Sequence, residues 1–120
     1  MSRQLSFTKF ENELRPDFRQ KMSSAESTED VKKFFVYTVI NLMKKVFADD
    51  FKLEYDDIAF APTKAPYYKL NNQITEKDQF KSIWEKSDLP QVMKRFAESA
   101  ANRFNHLVKN PDKTESKIRM

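Results

Sequence analysis

The stretch FFVYTVINLM, Phe34 to Met43, decides the fold: it carries only two polar side chains, Thr38 and Asn41, in ten residues. A membrane span, a buried strand and the central helix of a core all contain such runs. A span needs about 18 or more apolar residues. Here Lys32 and Lys33 stand on one side of the run and Lys44 and Lys45 on the other, so length rules out the span. Just upstream lies STED, Ser27 to Asp30. A Ser or Thr there can accept from the orphan amides of a first turn, and Glu29 and Asp30 suit the positive end of a helix dipole. From Val31 the apolar residues recur at Phe34, Phe35, Val39, Leu42, Met43 and Val46. Val36, Ile40 and Phe47 widen the stripe past one face, leaving Thr38, Asn41 and Lys45 as a narrow polar strip. The spacing predicts a core helix over about 29–48, covered on most sides.

Covering elements are readable on both flanks. Phe7, Phe10, Leu14, Phe18 and Met22 repeat at helical spacing through Pro16, which predicts one kinked helix or two short ones. Thr75 is the expected cap of a helix with Phe80, Ile83 and Trp84 on its apolar side, ending near Lys86. Ser87 or Asp88 is expected to cap a last helix with Pro90 in its first turn, and Leu89, Val92, Met93, Phe96, Ala97, Ala100, Phe104, Leu107 and Val108 supply its buried side. Asn110 and Pro111 are expected to stop it.

Strand character is confined to 51–74. Phe51, Leu53 and Tyr55 alternate, Ile58 and Phe60 alternate in the other phase, and Tyr67 to Leu70 offers a third segment. Asp56 and Asp57 then mark a bulge or turn. Asn71 and Asn72 are the expected left-handed turn residues in a chain without glycine. The fold class is therefore α+β, predominantly helical: about four helices around the central apolar helix, with a small β-hairpin insert. One globular domain is expected over 1–110. The polar segment 111–120 is expected to be a flexible tail.

Composition restricts the chemistry. Average usage of roughly 7% predicts about eight glycines in a chain of this length, and there are none. Phosphate-cradling loops, the dinucleotide fingerprint, the EF-hand loop and the nucleophile elbow all need glycine for positive φ or close backbone approach. Cysteine is also absent, which removes disulfides, thiolate metal sites and thiol nucleophiles. The single histidine, His106, shares a stripe with Arg95, Ser99 and Asn102 on the side opposite Phe96 and Phe104, so it is expected to be solvated or to make a surface contact, and a hydrolase triad is not expected. No apolar leader is visible near Glu11, Glu13 and Asp17, so the expected location is cytoplasmic. No small-molecule cofactor is implied.

Three leads remain. The acidic cluster Asp49, Asp50, Glu54, Asp56 and Asp57 could hold a hard divalent cation, though a solvated helix end and turn accounts for it as well. Of these, Asp50, Glu54, Asp56 and Asp57 are the metal candidates. The segment KAPYYK puts Lys64 and Lys69 around Tyr67 and Tyr68, a composition suited to base stacking and phosphate contact; alternation would turn one tyrosine to the core and the other partly toward solvent. Arg95, Arg103 and Lys109 extend the basic surface along the last helix and tail in a protein of formal charge +4. The third lead is association with another protein or with a second copy as a homodimer, because an apolar central helix must be covered. The expected function is a small non-enzymatic interaction or regulatory module. The alternative is sequence-nonspecific nucleic-acid binding through the same basic and aromatic side chains.

Overall fold

The computed structural model describes residues 6–47 and 53–109. Helix takes 75% of them and the single sheet has two strands, so the architecture is a predominantly helical α+β fold. The elements run α1 (Thr8–Ser24), α2 (Thr28–Phe47), a single 3-10 turn (Tyr55–Asp57), β1 (Ile58–Phe60), β2 (Tyr68–Leu70), α3 (Asn72–Thr75), α4 (Asp78–Lys86) and α5 (Leu89–Lys109).

Helix α2 is the centre. It starts where a cap is encoded: the Asp30 N–H donates to Ser27 Oγ at 3.1 Å, while Asp30 Oδ2 accepts from the Glu26 N–H at 3.2 Å. The first bond satisfies a first-turn donor that the helix cannot satisfy itself, and the second ties the residue before the cap to the first turn. Val31, Phe35, Val36, Val39, Leu42 and Met43 are buried to 1% exposure or less, with α1, α5, the 3-10 turn and β1 packed around them. The polar strip differs from the expected one. Thr38 is buried, and Tyr37 is exposed in its place beside Asn41 and Lys45. Position 38 lies one turn before Leu42 and two turns after Val31, so the period of 3.6 carries it into the apolar stripe.

Helix α1 runs unbroken through Pro16, so the two-helix alternative for this segment is set aside. Pro16 is exposed, where water can take the carbonyl bond that the missing N–H leaves open, and Leu14 and Phe18 pack on either side of it. α1 and α5 meet at both ends in the same order and therefore run in the same direction. Ahead of α5, Asp88 accepts from the Phe7 N–H at 2.7 Å, Ser6 Oγ at 2.8 Å and Thr8 Oγ1 at 3.0 Å. Toward its end, Arg103 Nη2 donates to the Ala25 and Ser23 carbonyls at 2.9 and 3.3 Å. An anion thus sits at the positive end of α1 and a cation at the negative end. Phe18 and Phe96 close the interface between them, edge to face at 5.0 Å.

The insert is a hairpin with register Ile58↔Leu70, Ala59↔Lys69 and Phe60↔Tyr68. Phe60 packs on Phe35 at 5.1 Å and Phe104 at 5.8 Å, which seats the hairpin on α2 and α5. The expected strand through Leu53 and Tyr55 does not form: Leu53 lies outside any strand and Tyr55 opens the 3-10 turn. The Glu54 N–H donates to Asp57 Oδ2 at 2.8 Å, so a side chain captures a backbone donor that a strand would need. Phe51 lies outside the described residues.

Positive φ falls on Tyr67, at 78°, after a cis Ala65–Pro66 peptide, and not on Asn71. Asn71 has φ −57° and caps α3, its Oδ1 accepting from the Gln73 N–H at 2.9 Å. Thr75 is likewise not the cap of α4. It closes the single turn of α3, and α4 begins at Asp78 after Lys77. Ser87 does cap α5, accepting from the Leu89 N–H at 3.1 Å, and Asp88 serves α1 instead. The expected stop at Asn110 and Pro111 and the tail 111–120 lie outside the described residues.

Candidate functional site

The hairpin and α4 form a groove. Tyr68 and Leu70 share one face of β2 because side chains alternate along a strand, and Phe80 and Trp84 share one face of α4 because they are one turn apart. With Pro66 and Thr75 they line an open concavity of about 260 Å³, rimmed by Lys69, Lys81 and Glu85. The aromatic wall is stacked in series: Phe47 on Phe80 at 5.9 Å and Phe80 on Trp84 at 5.1 Å. Phe80 is 3% exposed, while Trp84 and Tyr68 are half-buried, so the series runs from the core to an open edge. Burial pushes the Tyr68 phenol up to about 12, the direction expected where an ionised oxygen would lose water.

The residues singled out from the sequence separate on folding. Tyr68 and Lys69 enter the groove. Lys64 stays exposed on the loop before it, its carbonyl accepting from the Tyr67 N–H at 2.8 Å. Tyr67 and Tyr68 are both half-buried against the core and partly open to solvent, so the expected division between a core-facing and a partly solvent-facing tyrosine does not appear. The left-handed φ of Tyr67 rotates it out of strand phase, which is why period-two reasoning fails at this position.

On α5 the basic residues have different surroundings. Arg95 Nε and Nη2 donate to the two oxygens of Glu11 at 2.6 and 2.8 Å, and Arg103 holds the end of α1. Lys109 is exposed, as is His106. Glu11 is the buried charge that sequence reasoning missed: it is 1% exposed and also accepts from Arg15 Nη2 at 2.6 Å. The Arg95 hydrogen bond holds its carboxyl below the usual range against the opposing effect of burial, with help from Arg15. A signal existed, since position 11 is one turn from Phe7 and two from Phe18 on the apolar stripe of α1.

Among the described residues no group of three or more His, Asp and Glu side chains is placed to hold a metal ion. Of the acidic candidates, Asp57 accepts from the Glu54 N–H and from Asn71 Nδ2 at 3.1 Å, which gives it a structural task. Glu54 and Asp56 are exposed, and Asp49 and Asp50 lie outside the described residues. No helix among those residues is long and apolar enough to cross a membrane. Comparison with protein-family models, curated proteins and solved structures finds no match to this chain.

Proposed function

We propose that this protein is a non-enzymatic interaction module that binds a partner protein through the groove between β2 and α4. The occupant is a peptide segment with one bulky apolar side chain next to acidic residues. The observation that carries this reading is the half-open aromatic series Phe80–Trp84 beside Tyr68. Trp and Tyr at the edge of a pocket give a large rigid contact at little entropic cost, and such residues dominate binding energy at interfaces. Lys69 and Lys81 against Glu85 leave one excess positive charge on the rim, which favours an acidic flank.

Selection from a displayed random-peptide library against the intact chain tests this reading. Expected are sequences with an apolar anchor flanked by Asp or Glu, whose affinity falls by more than about tenfold on Trp84→Ala. Failure to enrich such a sequence, or binding unchanged by Trp84→Ala, overturns it. Sedimentation and DNA or RNA anisotropy titrations identify the other occupants. A dimer dispersed by Trp84→Ala would assign the groove to a second copy, and salt-sensitive nucleic-acid binding lost on Tyr68→Ala would assign it to that class.

A further inference from the structure

The second concavity lies between α1 and α5, away from the groove, and its charge is not balanced. It also measures about 260 Å³ and is lined by Arg15, Arg19, Arg95, Ser99 and Glu11 over the Phe18–Phe96 pair. A buried carboxylate needs a cation, and one guanidinium neutralises it. Glu11 has two, and Arg19 joins them with no ion-pair partner among the described residues. Three arginines against one carboxylate leave two positive charges on the lining itself, and the Asp88 carboxylate, outside the lining, offsets part of this at Arg95. Arg15 and Arg19 are also one turn apart on α1, a spacing at which like charges destabilise a helix. This arrangement has a cost that a bound anion would remove.

The donor geometry is already set. Glu11 occupies one edge of Arg95, through Nε and Nη2, and a single nitrogen of Arg15. Arg95 Nη1 and Arg15 Nε and Nη1 therefore have no acceptor among the described residues, and neither has any nitrogen of Arg19. Guanidinium donors in a fixed fork match tetrahedral oxyanions in two-point contacts. Holding Arg95 and Arg15 on a buried carboxylate removes rotamer freedom before any ligand arrives.

We propose that this notch binds a phosphate monoester or free phosphate, with Arg19 and the outer donors of Arg15 and Arg95 as its ligands and Ser99 Oγ as a further hydrogen-bonding group. The charge decides the class. A phosphate monoester carries close to two negative charges at neutral pH and three acceptor oxygens, whereas a carboxylate offers one charge and two oxygens.

The test titrates inorganic phosphate, O-phosphoserine and acetate into the intact chain at fixed ionic strength, following arginine Nε–H and backbone signals by NMR. The expected result is saturable binding of a phosphate, with shifts confined to Arg15, Arg19, Arg95 and Ser99. Arg19→Gln should weaken binding at least about fivefold, and Arg19→Lys should restore part of it. Arg19 takes no part in the Glu11 contacts, so in phosphate-free buffer Arg19→Lys should melt like the parent and Arg19→Gln at the same temperature or slightly higher, since it removes the repulsion with Arg15. O-phosphoserine binding tighter than phosphate would name a phosphorylated side chain as the source, and the reverse would name free phosphate. Unsaturable shifts spread over the surface lysines, acetate binding as tightly as phosphate, or Arg19→Gln binding like the parent would each overturn the proposal.

Discussion

Arg95 and Glu11, 84 positions apart in the chain, meet through two hydrogen bonds of 2.6 and 2.8 Å. The two ends of the contact are unequal, since the Glu11 side chain is 1% exposed and that of Arg95 is 47% exposed. Arg95→Met leaves a buried carboxylate with Arg15 alone and is expected to cost about 1–3 kcal/mol. Glu11→Met leaves two guanidinia that water can reach and should cost less. Urea unfolding of both variants checks the order; a larger loss for Glu11→Met would contradict it.

Acid stability follows from the same carboxylate and from Asp88. Burial works to raise the Asp88 carboxyl, and hydrogen bonds from the Phe7 N–H, Ser6 and Thr8 outweigh it and hold it below its ordinary 3.8. Glu11 is likewise held below its ordinary 4.5. A carboxyl whose folded value is depressed adds stability above the unfolded value and loses it as pH falls through the folded one. Stability should therefore decline from about pH 4.5 downward. Asp88→Asn should flatten that decline as well as lower stability at neutral pH, which urea midpoints between pH 2 and pH 7 would show.

The alkaline limb has the opposite origin. Tyr68 is raised from 10.0 to about 12 by burial, so its contribution is complete below the unfolded value and disappears as pH rises through the folded one. Tyr68→Phe should lose less stability than the parent between pH 10 and pH 12. The difference between the two urea profiles isolates this residue from the lysines that titrate in the same range.

Core substitutions should divide by depth. Phe35 on α2 is fully buried beneath the hairpin, and Phe35→Ala should cost about 3–5 kcal/mol. Ile40 on the same helix is only half-buried, so Ile40→Ala should cost less, about 1–2 kcal/mol. Equal losses in urea unfolding would mean that α2 is covered evenly on both sides.

Trp84 is the only tryptophan in the chain, so its emission reports on the groove. A peptide that seats there should shift the spectrum to shorter wavelength by displacing water from the ring. Phosphate should leave it unchanged, because the arginine notch shares no residue with the groove. A phosphate-induced shift would show that the two surfaces communicate.

The helices were legible in the sequence because their signals are local. The Ser27 and Ser87 caps each lie within a few residues and the period of Val31 to Phe47 within one helix, and local chemistry determines them. The failures have a different origin. Tyr67 takes a conformation imposed by its loop, where the Ala61 N–H donates to the Tyr67 carbonyl at 2.7 Å. The Asp57 side chain draws Glu54 out of a strand. Neither competition shows in hydropathy. The groove needs β2 beside α4, and the burial of Glu11 needs an arginine from the far end of the chain. A sequence pattern shows which residues share a face of one element and leaves open which other element that face will meet.

The tether of α1 to α5 sets an order of assembly. α1 and α2 are neighbours in the chain, and their pairing costs little loop entropy. The contacts of Asp88, Arg95 and Arg103 with α1 span 78 to 84 positions and must wait for the whole insert and α4. On a ribosome the first helix is therefore made long before its caps exist. We expect a nascent chain that stops before Asp88 to leave the Glu11 carboxylate hydrated and α1 frayed at both ends, with protease resistance arriving only after α5 is complete.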